Sequence, residues 1–129
     1  MGIFRRRRAT GWGVDGTARG RRSQERRRVA DGIRHLEEFA AERTGVEAFV
    51  EPPTAVTSTT VVLVARSGEW TRRRVPDARA AHELGSRLGI PVYDAGVVGY
   101  PQRMREWNRR RAEESSRAAS EAGDGDPTG

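Results

Sequence analysis

A chain of 129 residues with no cysteine, all 24 of its basic residues arginine, and a net charge of +6 excludes several chemistries at once. It can form no disulfide, thiol nucleophile or thiolate metal site, and no Walker lysine, Schiff base or lysine general base. The length allows one domain, and at 35% hydrophobic the chain cannot spread a core over all of it.

The charge is unevenly placed. Residues 1–28 hold ten arginines against Asp15 and Glu25, a net of +8, while the remaining residues hold fourteen arginines against sixteen acids, a net of −2. Residues 1–28 also have little apolar content and hold five glycines. Such a segment cannot bury enough surface to offset its ordering entropy, so it is expected to be a disordered, arginine-rich arm. Met1 to Phe4 followed by Arg5–Arg8 begins like a charged leader, but no apolar stretch follows. No run approaches the ~20 apolar residues of a membrane span, so a cytoplasmic location is expected.

The patterned body begins at Val29. Val29, Ile33, Leu36 and Ala40 recur at helical spacing, Phe39 widens their stripe, and Gly45 is a stop. Val46 to Glu51 alternates as a short strand, which Pro52-Pro53 breaks. Thr59 to Ala65 is rich in β-branched residues, and its unbroken apolar run predicts burial on both faces. A turn over 66–69 leads to a third strand, Trp70 to Val75. Asp77 is the predicted N-cap of a helix that buries Ala81, Leu84 and Leu88 and ends at Gly89. Ile90 to Tyr93 reads as a fourth strand, at an edge because of Pro91. Pro101 opens a last helix that turns Met104 and Trp107 to the body. The tail, 114–129, is rich in Ala, Ser, Glu and Gly and is expected to be disordered.

The expected fold is therefore α/β (α+β): an α-β-β-β-α-β core with a C-terminal helix, a small mixed sheet and disordered termini. Its domain spans residues 29–113.

Few motifs carry chemistry. Gly11-Trp12-Gly13-Val14-Asp15-Gly16 fits the G-x-G-x-x-G dinucleotide pattern, but it follows Arg5–Arg8 instead of an apolar strand. No cofactor is expected. His35 and His82 sit alone on helices without a third ligand at metal spacing, so no metal is expected either. No Gly-x-Ser-x-Gly elbow accompanies any serine, and no catalytic residue is assigned.

Two groups are candidate binding residues. Arg5, Arg6, Arg7, Arg8, Arg21, Arg22, Arg26, Arg27 and Arg28 of the arm, with Arg72 and Arg74 on one face of the third strand, would meet a polyanion such as nucleic acid. The alternative for Arg72–Arg74 is an edge strand protected by charge. Tyr93, Asp94, Tyr100, Arg103 and Arg105 flank a glycine-containing loop after the fourth strand. They form either a surface for a partner or ligand, or a structural cap over the sheet.

The element order over Val29 to Tyr93 resembles the core of the PD-(D/E)xK nuclease superfamily. That resemblance implies a cation held by an acid on the first helix, an Asp on the second strand and an E-x-K on the third. Glu37 and Glu38 match the helical acid. The second strand has no acid, and the third reads Glu69-Trp70-Thr71-Arg72, so the metal site is not expected. Double-stranded-RNA-binding domains share the α-β-β-β-α order, but Pro76-Asp77-Ala78-Arg79 lacks their basic helix start. The phrases HLEEF, GVEAFVEP, TTVVLVA, GEWTRRRV and GIPVYDA resemble a family of small uncharacterised actinobacterial proteins.

The functional expectation is a non-enzymatic module whose arm contacts nucleic acid or another polyanion with low sequence specificity. The alternatives are a protein-interaction domain using the Tyr93–Arg105 surface and a degenerate nuclease-like enzyme.

Overall fold

A computed structural model describes residues 15–124. In chain order the elements are α1 (Asp15–Glu42), β1 (Glu47–Glu51), β2 (Thr60–Val64), β3 (Trp70–Arg74), α2 (Ala78–Leu88), β4 (Val92–Asp94), α3 (Ala95–Val98) and α4 (Gln102–Asp124). The four strands form one mixed sheet in the order β3-β2-β1-β4. β1, β2 and β3 are an antiparallel meander, and β4 lies parallel to β1 after the α2 crossover. This is the α+β architecture that the patterning predicts.

β2 is central and buried on both faces. Val61 and Leu63 point to one side, Val62 and Val64 to the other, and all four are fully buried. On the first side they meet Ala48, Val50, Leu36 and Phe39, with Ala81 and Leu84 from α2. On the second side Val62 and Val64 meet Phe49 and Met104, with Trp70 and Tyr100 partly buried around them. Helices therefore cover both faces, α1 and α2 on one and the start of α4 on the other. Each large aliphatic side chain so buried contributes about 1.5–3 kcal/mol.

Local signals place α2 closely. Asp77 Oδ1 accepts the Ala80 N–H at 2.8 Å, and Gly89 closes the helix at φ 70. A further glycine fits a close approach. Gly68, at φ 96 in the β2–β3 turn, lies so near α4 that a Cβ there would collide with the Arg103 carbonyl oxygen.

The helix boundaries differ from the sequence expectation at both ends. α1 begins at Asp15 instead of Val29, and α4 runs on to Asp124. Residues 15–28 and 114–124 are thus helical, while 1–14 and 125–129 lie outside the described residues. Arginine, glutamine, glutamate and alanine dominate these stretches and are good helix formers. They extend a helix already nucleated by packing, so each added residue meets only the modest cost of propagation. Periodicity misses them because they carry no apolar stripe.

Candidate nucleic-acid interface

α1 divides at Glu25. From Val29 onward it is anchored, with Leu36 and Phe39 in the core and Gly32 packed against Arg73 of β3. Glu25 marks the edge of the body, where its carboxylate accepts from Arg74 at 2.6 Å and pairs with Arg28 at 3.5 Å. Arg19, Arg21, Arg22, Arg26 and Arg27 are exposed and have no ion pair among the described residues. Two arginines of the body are engaged differently. Arg43 grips Glu69 through Nε and a terminal nitrogen, each at 2.9 Å, and Arg72 grips Glu51 in the same forked way.

The expected polyanion-binding residues consequently divide. Arg5–Arg8 lie outside the described residues. Arg21, Arg22, Arg26, Arg27 and Arg28 share the first half of α1, and Arg26 and Arg74 come together at a groove of about 520 Å³ between that helix and β3. Arg72 is drawn away, because its guanidinium is tied to Glu51 and lies over the Trp70 ring at 5.2 Å. β3 is an edge strand, as the charge-protected reading expects. Arg73 donates to the backbone carbonyl of Arg72 on this strand at 2.8 Å.

The candidate side chains of the Tyr93–Arg105 segment bond back to the body, although Tyr93, Asp94 and Arg105 stay exposed. The Tyr93 ring stacks on Phe49 at 5.5 Å, and Asp94 caps α3 by accepting from Gly96 N–H at 2.8 Å. Tyr100 donates its hydroxyl to Glu51 and sets its ring 6.1 Å from Phe49. Arg103 donates to the Ala65 carbonyl at 2.8 Å, to the Val64 carbonyl at 3.3 Å and to Glu47 at 2.7 Å. Arg105 donates to the Tyr100 carbonyl at 3.1 Å. All five residues therefore bond within the fold, in the manner of a cap over the second sheet face. Val97 and Val98 of α3 are left at 80% and 55% exposure.

Glu51 is the hub that the sequence did not single out. It ends β1 and receives Arg72, Tyr100 and the hydroxyl of Thr60. Burial works to raise its carboxyl, but the hydrogen bonds from Arg72, Thr60 and Tyr100 outweigh it and hold the group at about 2. Burial, and then the bond to Glu51, push the Tyr100 hydroxyl up. The network walls a cleft of about 520 Å³ with Pro52, Thr54 and Thr57. A carboxylate this acidic and this fully bonded is an anchor and a poor proton acceptor at neutral pH.

His35 shares a hydrogen bond with the Thr71 hydroxyl at 2.8 Å, and burial followed by nearby Arg73 lowers its pKa. Among the described residues no group of three His, Asp or Glu side chains is placed to hold a metal ion, and no helix is long and apolar enough to cross a membrane. The glycine motif at 11–16 lies largely outside the described residues, and its last two positions begin α1. No family model matches the chain, and no curated protein or solved structure matches it either.

Proposed function

We propose that this protein is a non-enzymatic, cytoplasmic nucleic-acid-binding module that holds the phosphate backbone with the arginines of α1 and reads little sequence. One observation carries this reading. Among the described residues, Arg19, Arg21, Arg22, Arg26 and Arg27 in the first half of α1 are exposed without a carboxylate partner, while Arg43, Arg72 and Arg103 in the body are each neutralised by a glutamate. A guanidinium left unpaired on a helix is available to a phosphate, and displacement of condensed counterions then supplies the affinity. Arg5–Arg8 would add to the same field.

The test is binding of a nucleic-acid duplex across a salt series, with Arg21, Arg22, Arg26 and Arg27 replaced together by glutamine. Glutamine keeps helix propensity and removes charge. The reading expects the slope of log affinity against log salt to fall by about 0.9 for each phosphate that is no longer neutralised. Unchanged binding by the variant would refute it.

A second reading has one observation in its favour. Val97 and Val98 are exposed beside Tyr93, which suits a protein partner on the α3 surface. Val97→Ser with Val98→Ser would abolish such a contact and leave nucleic-acid binding intact. The nuclease-like resemblance gains no support from the site, since β2 carries no acid and Glu69 is committed to Arg43.

A further inference from the structure

We infer that the first half of α1 is shaped to lie in the major groove of duplex DNA, an inference that rests on the nucleic-acid reading and specifies its partner. The arrangement follows from the helical repeat. At 100° per residue, Arg19, Arg22 and Arg26 share one flank of the helix, and Arg21 and Arg28 share another, roughly 140° apart across the side continuous with the buried face and roughly 220° apart across the outward face. The outward face between these ridges carries Gly20, Gln24 and Arg27, at i, i+4 and i+7. Nothing lies within 4 Å of where a Gly20 side chain would begin. Residues before Glu25 make no hydrogen bond to the body among the described residues, so this part of the helix stands clear of it.

The B-DNA major groove, about 12 Å wide, accepts one α-helix and sets phosphates along both of its walls. Two arginine ridges on opposite flanks match two walls. A glycine on the face between them permits close approach to the groove floor. Gln24 and Arg27 there have the donor geometry that suits adenine and guanine edges. At 1.5 Å per residue, Asp15–Arg28 is roughly 21 Å long, enough to follow the groove for more than half a helical turn.

Other polyanions fit this surface less well. A membrane-lying helix sets an apolar face against its basic one, and Ala18 is the sole hydrophobic residue in 15–28. Single-stranded nucleic acid is held by aromatic stacking platforms, and the same stretch holds no aromatic residue. Duplex RNA offers a deep, narrow major groove that side chains do not read.

The experiment compares the full chain on four probes: a 20-base-pair DNA duplex, the RNA duplex of the same sequence, the single DNA strand, and phosphatidylserine vesicles. The DNA duplex is expected to bind about tenfold or more tighter than the RNA duplex. Methyl green, a major-groove dye, should displace the protein, and a minor-groove ligand such as netropsin should not. Replacing either ridge alone (Arg19→Gln, Arg22→Gln and Arg26→Gln, or Arg21→Gln and Arg28→Gln) should lower the salt slope by about 0.9 per arginine removed. Far-ultraviolet circular dichroism checks that each variant is folded. Equal affinity for DNA and RNA duplexes, tighter binding of the single strand, or displacement by netropsin would overturn the groove assignment while leaving nucleic-acid binding standing. Binding to vesicles alone, or to none of the probes, would overturn both.

Discussion

In the body, three arginines are committed to carboxylates, Arg43 to Glu69, Arg72 to Glu51 and Arg103 to Glu47, whereas Arg66, Arg73 and Arg105 have no ion pair among the described residues. In the first half of α1, Arg19, Arg21, Arg22, Arg26 and Arg27 have no such partner among the described residues. The residue type is the same in both regions, and the surroundings decide its use. A half-buried guanidinium must be paired, because desolvation without compensation costs more than any one contact returns. An exposed one on a projecting helix keeps its hydration and its charge, and it even repels its neighbours, as Arg22 and Arg26 do at i, i+4. The first region converts arginine into stability, and the second leaves it exposed and hydrated.

That contrast can be broken in graded steps. The largest effect belongs to the anchored half of α1. Leu36→Ala leaves a cavity at a fully buried position and should lower unfolding free energy by about 3–5 kcal/mol in urea. Arg21→Gln with Arg22→Gln on the projecting half should change it by less than about 0.5 kcal/mol while weakening duplex binding. If both substitutions destabilise equally, the division of the helix fails.

Next comes a body arginine. Arg103→Met keeps the aliphatic stem but removes the donor shared by the Ala65 and Val64 carbonyls and Glu47, at a cost of about 2 kcal/mol, with no change in the salt slope of binding. Should the salt slope change as well, Arg103 would belong with the binding arginines.

The third effect is pH-dependent. Glu51 is held at about 2 against an ordinary 4.5, so its folded-state pKa is depressed. The stability it contributes is complete above the ordinary value and is lost as pH falls from about 4.5 towards 2. Allowing for its partial exposure, the loss should be about 1–2 kcal/mol. Urea midpoints between pH 7 and pH 2.5 should fall in the native chain more than in Glu51→Gln, and parallel curves would remove Glu51 from this role.

The smallest effect is on the projecting helix itself. Gly20→Ala meets no neighbour and should add about 0.5–1 kcal/mol of local helix stability, seen as slower amide exchange over 18–25. Unchanged exchange would show that Gly20 does not limit that segment.

Much of the frame was legible because it rests on local rules. The β-branched run at 59–65 marked the central strand, Asp77 and Gly89 marked the ends of α2, and Pro91 marked an edge. The pairings were not legible. Glu51 and Arg72 stand on β1 and β3, with β2 between them, so no sequence spacing announces their contact. Arg43 and Glu69 are 26 residues apart, and Arg103 and Glu47 are 56 apart.

By itself, the sequence determined the element types and their order, except for the short α3 that it read as a loop, and the concentration of arginine near the start, since these follow from side-chain period, capping chemistry and composition. It left the Tyr93–Arg105 segment poised between a surface and a cap, and Arg72 between a ridge and a protected edge. Only the tertiary structure decided which arginines lie within reach of a carboxylate. That choice depends on strand order and on which helix covers which face, and both arise from packing between residues far apart in the chain.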